Sequence, residues 1–220
     1  MFSDWRAWFD RWTVGQAAAS HRWVVLDLES SGLDPSRDRL LSIAAVALHL
    51  DGPRLHLQPS DSFEVLLQQP LPTAAPDKAN ILVHGLGVGQ QQGGMPPREA
   101  LQAFRDFAGN APWVGYHLAF DQRLLARAEA QHGLPGLRRA GLDLAELAPA
   151  LRPGVAGRAL DDWLPVFGIR CLGRHQAAAD ALATAELMMA LWPLACRATG
   201  RTPGFRQLQA LAAQRRWLGG

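Results

Sequence analysis

The chain has 220 residues with 22 basic and 20 acidic side chains, and its formal net charge of +2 is too small to predict a polyanionic partner. A hydrophobic content of 48% with 19% charged residues is typical of globular proteins and argues against a disordered chain. The only cysteines, Cys171 and Cys196, form no CxxC pair, which excludes a cysteine-rich zinc site.

The sequence lacks the signals of membrane insertion and secretion. No apolar run reaches the ~18 residues that a membrane span requires. The first residues, MFSDWRAWFDRWTV, contain neither a basic n-region nor a continuous apolar h-region. With two cysteines best explained as reduced thiols, we expect a cytoplasmic protein without a membrane span.

An aromatic segment comes first in chain order. Trp5, Trp8 and Trp12 recur with two phenylalanines at helical spacing, which predicts an amphipathic helix within residues 1–20. Docking of this helix onto the core is the favoured role, and binding to a membrane surface or a partner is the alternative.

Three strands are predicted next. Residues 22–28 are nearly all apolar, as in a central strand that is buried on both faces. Residues 39–50 and 61–70 read as further strands, and turn signals at 51–53 and 58–59 separate the three. We therefore expect an antiparallel meander.

Helices dominate the remainder, which follows a polar loop at residues 90–97. In chain order we predict a helix over 98–108, a strand over 111–117, a helix ending near 132, and helices over 142–151, 159–167, 177–192 and 205–217. This order indicates an α/β fold with a mixed sheet flanked by helices. The predicted regions are a helical extension (1–20), a main domain (21–195) and an arginine-rich helical tail (196–220).

Two carboxylates occupy one face of the first strand. Asp27 and Glu29 are two positions apart, so their side chains point the same way, about 7 Å apart along the strand. Like charges in this arrangement repel unless something positive lies between them. A metal ion, a basic partner, or plain water at an exposed strand end each satisfies that condition.

Two further acids lie in helices. Asp121 falls in the first turn of a helix, where an acid is ordinarily a cap or a partner of the helix dipole. Asp180 lies on the alanine-rich face of a helix that has the pattern of a buried element. His175 precedes it by five residues, or about 140° of rotation, so we place His175 in the loop before the helix or at its start.

These residues, in this order, resemble the DEDDh family of 3′–5′ exonucleases, which has an RNase H-like fold and includes the epsilon proofreading subunit of bacterial DNA polymerase III. The first motif of the family, DxE(T/S)(T/S)GLDP, matches DLESSGLDP at residues 27–35. The second matches at residues 115–121, and the third matches as His175, Asp180 and Thr184-Ala185. A minor family element matches VHGL at residues 83–86, and the resemblance spans roughly residues 22–192.

The resemblance implies a two-metal hydrolase that uses Mg²⁺ or Mn²⁺. By this resemblance, Asp27 bridges two ions, Glu29 and Asp180 complete one of them, and Asp121 serves the other. His175 is implied as the general base on the attacking water, a role that suits histidine near neutral pH. Carboxylate ligands are also what hard divalent cations prefer.

Substrate contacts are implied at several further positions. The predicted substrate-binding residues are Ser30, Ser31, Gly32, Leu33, His84, His117 and Phe120. The chain departs from the family where Tyr116-His117 replaces a common His-Asn pair, which bears on how the substrate end is held. Proteins bind single strands by stacking and by basic grooves, and four arginines could line such a groove. These are Arg123, Arg127, Arg170 and Arg174.

The function expected from the resemblance is removal of 5′-mononucleotides from the 3′ end of single-stranded DNA, in repair or proofreading. RNA trimming, as in RNase T-like and oligoribonuclease-like enzymes, is the first alternative, and a non-catalytic nucleic-acid-binding protein is the second. The partner is a nucleic acid with a free 3′ end, with DNA favoured over RNA. A separate polymerase or clamp subunit is a further option, since this sequence contains no polymerase domain.

Overall fold

The computed structural model describes residues 21–70, 92–171, 173 and 175–218, so the predicted N-terminal helix lies outside the described residues. Within them, the strands are β1 (Arg22–Ser30), β2 (Leu40–Asp51), β3 (Arg54–Leu66), β4 (Trp113–Gly115) and β5 (Gly141–Asp143). The helices are α1 (Pro97–Ala108), α2 (Leu118–Gln131), α3 (Leu144–Leu151), α4 (Leu160–Trp163), α5 (Ala177–Thr199) and α6 (Phe205–Leu218).

The five strands form one mixed sheet in the order β3-β2-β1-β4-β5. β1 pairs antiparallel with β2, and β2 pairs antiparallel with β3, which confirms the predicted meander. β4 and β5 continue the sheet in parallel with β1. The predicted α/β class with a mixed sheet is therefore correct, and β1 is its central strand.

Helices cover both faces of the sheet, and β1 contributes to both cores. Trp23 and Val25 belong to the core beneath α3, α4, α5 and α6. Val24 and Leu26 belong to the opposite core, beneath α1 and α2. Because strand side chains alternate, Asp27 shares the face of Trp23 and Val25, which is the face that α5 covers.

The predicted third strand was wrong in its bounds. β3 begins at Arg54 instead of residue 61, and it ends at Leu66 before Pro70. Pro59, taken as a turn signal, lies within β3 where the register with β2 shifts between Val46 and Ala47. β3 is an edge strand, and a proline without an N–H is tolerated at an edge or a bulge.

Two other helix and strand predictions also need correction. Residues 141–143 form β5, although that segment was predicted to enter a helix directly. α5 was predicted to stop at residue 192 before Pro193, yet it continues to Thr199. Leu191, Trp192 and Ala195 are buried along this stretch, and their packing offsets the backbone hydrogen bond that a proline removes.

The C-terminal segment packs on the rest of the molecule. α6 contacts α3 and β5, and its Leu208 and Ala212 are buried in the core beneath α5. α5 is long and apolar enough to span a membrane by length and composition, but 56% of its apolar window is buried inside the molecule. A core helix passes the same test. The division of the chain at residues 20 and 195 stays a prediction.

Candidate active site

Three carboxylates from two elements converge at the end of β1. Asp27 and Glu29 belong to β1, and Asp180 lies in the first turn of α5. One carboxylate oxygen of each residue lies within 4.8 Å of the others. Asp180 is buried, whereas Asp27 and Glu29 are partly exposed. The cluster is therefore open to solvent on one side.

Small residues bring α5 close to the sheet at this point. Ala44 of β2 is the register partner of Asp27. Ala177 and Ala181, at the start of α5, pack against Ala44 in a buried cluster of their own. Methyl side chains let a helix approach a strand more closely than larger ones do. This close approach places Asp180 beside Asp27.

Asp121 lies near these three carboxylates but outside their group. It occupies the first turn of α2, directly after β4, and is 6% exposed. Burial raises the pKa of Asp121 well above its ordinary value, and the negative charges of Asp143 and Glu29 raise it further. Asp121 therefore lies within electrostatic range of Glu29, one of the three carboxylates.

Asp143 is a further carboxylate that the sequence did not single out. It precedes α3, where its Oδ1 accepts the N–H of Ala145 (3.0 Å) and the N–H of His117 (2.9 Å). Burial raises the pKa of Asp143, although these two hydrogen bonds oppose the shift. An aspartate before the apolar run LAEL is a recognisable helix cap, but its contact with His117 is not local.

His175 lies two residues before α5, in the loop where it was expected. Its backbone has a left-handed φ of 63°, which few non-glycine residues adopt. Its N–H donates to Oδ2 of Asp180 at 3.0 Å, and its side chain is exposed. The Cys171 thiol donates to Oδ1 of the same aspartate at 3.5 Å. The loop before α5 thus holds Asp180 through both carboxylate oxygens.

The predicted substrate turn at residues 30–33 follows β1 directly. Ser31 Oγ donates to Asp38 Oδ1 at 3.1 Å and accepts the N–H of Arg39 at 2.9 Å. A Cβ on Gly32 would lie 2.5 Å from the Asp38 carboxylate, so a larger residue here would displace Asp38. Leu33 is 93% exposed at the tip of the turn. Asp38 is the residue that holds this turn together.

The other predicted contact residues are distributed around the site. His117 is exposed and opens α2 with a left-handed φ of 59°, and Phe120 packs on the edge of the core beneath α1 and α2. Arg127 donates to the Asp38 carbonyl and so braces the turn. Arg123 and Arg170 are exposed. His84 and Arg174 lie outside the described residues.

A cavity of about 350 Å³ opens beside the carboxylates. Asp27 and Asp180 line it together with Tyr116, His117 and Arg158. The Tyr116 hydroxyl donates to the Arg158 carbonyl at 2.9 Å, and burial raises the pKa of Tyr116 to about 12. Sequence reasoning missed Arg158, because no motif marks it and its contact with Tyr116 spans 42 residues.

The donor atoms at this site suit a hard divalent cation. Asp27, Glu29 and Asp180 supply oxygen ligands, which Mg²⁺ and Mn²⁺ prefer. Asp121 adds a fourth carboxylate nearby. Gathering these groups without a cation costs free energy, because like charges repel and burial penalises the ionised form. The residues present therefore fit a divalent metal centre beside a cavity of ligand size.

Comparison with known proteins identifies similar chains. Residues 24–188 match the RNase T model, which is described as an exonuclease. The chain is 28% identical over 184 residues to a PolC-type DNA polymerase III from Lacticaseibacillus paracasei, and 28% identical over 165 residues to one from Listeria innocua. These alignments cover 84% and 75% of this chain, but only 12% and 11% of the relatives.

Solved structures share the fold. Exonuclease I from E. coli, in complex with a dT13 oligonucleotide, superposes with a TM-score of 0.67 at 18% identity, over 82% of this chain and 43% of that one. Exonuclease I from Methylocaldum szegediense gives a TM-score of 0.63 at 19% identity, over 78% and 40% of the two chains. The five-stranded sheet with its flanking helices is thus the RNase H-like fold of these exonucleases.

Proposed function

This chain belongs to the DEDDh 3′–5′ exonuclease family, and we propose that it is a metal-dependent exonuclease that removes 5′-mononucleotides from the 3′ end of single-stranded DNA. One observation carries the proposal. Oxygen atoms of Asp27, Glu29 and Asp180 lie within 4.8 Å of one another beside an open cavity. Such an arrangement has a use in phosphodiester hydrolysis, because the reaction needs cations close to the scissile phosphate.

Asp27, Glu29, Asp180 and Asp121 would hold two ions, with Mg²⁺ or Mn²⁺ as the natural choices. When bound, such a pair lowers the pKa of a coordinated water and stabilises charge on the attacking and leaving oxygens. The protein's part is to fix the carboxylates in place. β1 presents two of them in register, and the small residues beneath α5 hold the third against them.

His175 is the proposed general base. Its side chain is exposed, and its backbone N–H donates to Oδ2 of Asp180, so the residue lies next to one carboxylate of the cluster. In this role the ring would accept a proton from the attacking water while the backbone of His175 stays bound to Asp180. A positioned base of this kind typically contributes 10²–10⁴-fold to the rate.

The terminal nucleotide would be held by the turn after β1 and by the start of α2. Leu33 is exposed where it can contact a base, and Asp38 holds the turn through the Ser31 hydroxyl and the Asp34 N–H. His117 lines the cavity and Phe120 follows it on α2. His84 keeps its predicted role at the same pocket, although it lies outside the described residues.

The names of the relatives support DNA as the substrate. The curated relatives are DNA polymerases, and the superposed E. coli Exonuclease I holds a DNA oligonucleotide. We therefore propose repair or proofreading in the cytoplasm as the role. The PolC-type relatives support a separate polymerase subunit as a partner to test, and a clamp subunit stays a prediction.

The test uses 5′-labelled single-stranded DNA and RNA of the same sequence. Each is incubated with Mg²⁺ or Mn²⁺, and EDTA and Asp27→Asn serve as controls. Metal-dependent shortening from the 3′ end, faster on DNA, is the expected result. Faster shortening of RNA than of DNA would mean that RNA is the preferred substrate. Binding without shortening of either, from folded protein, would favour a non-catalytic role.

A further inference from the structure

Among the described residues that line the cavity beside the carboxylates, Arg158 is the one arginine or lysine. Arg158 lines it together with Asp27 and Asp180. We propose that Arg158 binds the phosphodiester next to the scissile one and so positions the 3′-terminal nucleotide. This inference rests on the proposed exonuclease function, because it assumes a polynucleotide in the cavity.

The backbone of Arg158 is fixed on both sides. Its N–H donates to Oδ2 of Asp162 at 2.8 Å, and its carbonyl accepts the Tyr116 hydroxyl at 2.9 Å. The neighbouring Ala159 N–H donates to the same Asp162 oxygen at 2.9 Å. Two independent anchors on one residue in an otherwise irregular loop hold the root of its side chain at the cavity wall.

The guanidinium is available to a ligand. Arg158 is exposed, and none of the four ion pairs among the described residues includes it. By contrast, Arg22 and Arg105 are committed to Asp61 and Glu129. An arginine that the fold anchors by its backbone, and not by its charge, is free to use that charge on a bound molecule.

The chemistry of the cavity indicates which ligand this is. A guanidinium presents paired donors that match two phosphate oxygens. The scissile phosphate belongs beside Asp27 and Asp180, where the divalent ions would bind. The acidic walls would repel the next phosphate, and Arg158 offsets that repulsion. The contact would act on the backbone, so it would be independent of base sequence.

The experiment compares Arg158→Gln with Arg54→Gln, which removes the same charge. Arg54 is exposed, and it is the strand-register partner of Asp51 at the β2–β3 turn. That turn lies beyond the register pair of His49 with Arg22, roughly 23 Å along the strands from Asp27. Arg54→Gln therefore reports the effect of the lost net charge alone.

Binding is measured by anisotropy of a 5′-labelled oligothymidylate in EDTA at several salt concentrations, so that nothing is cleaved. We expect Arg158→Gln to weaken binding roughly tenfold and to reduce the slope of log K against log salt by about 0.7, the value for one single-strand phosphate. Arg54→Gln should leave the slope unchanged, and Arg158→Lys should restore most of it. Equal slopes for both glutamine variants would overturn the proposal.

A second arm locates the contact. An oligonucleotide with an uncharged methylphosphonate next to the 3′-terminal linkage should bind the wild-type protein more weakly, and Arg158→Gln should add no further loss. If Arg158→Gln weakens binding of the methylphosphonate oligonucleotide by the same factor as binding of unmodified DNA, Arg158 contacts a different phosphate. Wild-type cleavage of unmodified DNA is measured in parallel. Its absence would contradict the proposed function, whereas its presence with equal slopes contradicts only the role of Arg158.

Discussion

The carboxylates near the two ends of the central strand, β1, have opposite kinds of neighbours. At the start of β1, Asp61 accepts hydrogen bonds from Arg22 at 2.7 Å and from His49 at 2.8 Å. Burial alone would raise the pKa of Asp61, but the hydrogen bonds and charges of these two partners lower it below its ordinary value. Asp61 therefore has a cationic partner, Arg22, within the protein, and it stabilises the fold.

At the other end of β1, carboxylates are gathered with one another. Burial and the charges of neighbouring carboxylates raise the pKa of Asp121. Asp27, Glu29 and Asp180 share a space of a few ångströms. Asp61, which stabilises the fold, is paired with an arginine of the protein itself. The cluster of Asp27, Glu29 and Asp180 instead fits a bound metal cation.

The largest effect should come from removing one carboxylate of the cluster. We expect Asp27→Asn to lower kcat/KM by about 10³-fold or more, because several kcal/mol of charge stabilisation is lost. In EDTA its melting temperature should be unchanged or higher, since repulsion is relieved. Paired cleavage assays and thermal melts check both. A variant with nearly wild-type activity would remove Asp27 from the metal site.

A similar but separable loss is expected at the proposed base. His175→Ala should lower kcat by 10²–10⁴-fold and leave the affinity for Mn²⁺, measured by calorimetry, close to wild type. Collapse of metal affinity in this variant would make His175 a ligand and would contradict the role proposed for it.

Asp61→Asn is the corresponding test at the start of β1, where Asp61 accepts hydrogen bonds from Arg22. It should lower the free energy of unfolding by about 1.5–3 kcal/mol, because hydrogen bonds to a charged group are lost. Its kcat/KM should stay close to wild type. Denaturant unfolding and a cleavage assay make the measurement, and an inactive but stable variant would break the contrast between the two ends.

Packing beneath α5 gives a smaller, mixed effect. Ala181→Leu overfills the contact with Ala44, so we expect a loss of about 1–3 kcal/mol in stability, together with reduced activity as Asp180 moves. Ala178→Leu, on the exposed side of the same helix, is the control and should change neither. Equal effects of the two variants would mean that close packing at Ala44 does not position Asp180.

The smallest expected effect is a pH dependence. The pKa of Asp61 in the folded protein lies below its ordinary value of 3.8. Its stabilisation is therefore complete above that value and is lost as pH falls through the folded pKa. The difference in unfolding free energy between wild type and Asp61→Asn should shrink from pH 5 towards pH 3. A constant difference would show that the Asp61 charge is not what stabilises the fold.

Prediction from the sequence worked where the signal is local. The apolar run of β1, the turn after it and the helical spacing of α5 are each encoded within a few residues, so the meander and the mixed sheet were correctly expected. The loop position of His175 followed from the same periodicity. The roles of His175 and of the four acids stay predictions, since geometry alone does not test them.

Prediction failed where a position depends on distant partners. β5 has three residues and exists because it pairs with β4, so its sequence carries no strand period. The contact of Asp143 with His117 and that of Arg158 with Tyr116 cross 26 and 42 residues. α5 continues past Pro193 because tertiary packing outweighs local propensity.

The bulge in β3 has a consequence for self-association. Edge strands present unpaired backbone groups on which a strand of another molecule can pair. Pro59 lacks one of those donors, and the register shift beside it interrupts the line of the rest. Among the described strands the opposite edge is β5, which has three residues. We therefore expect concentrated solutions of this protein to resist strand-mediated aggregation, and replacing Pro59 with a β-branched residue to weaken that resistance.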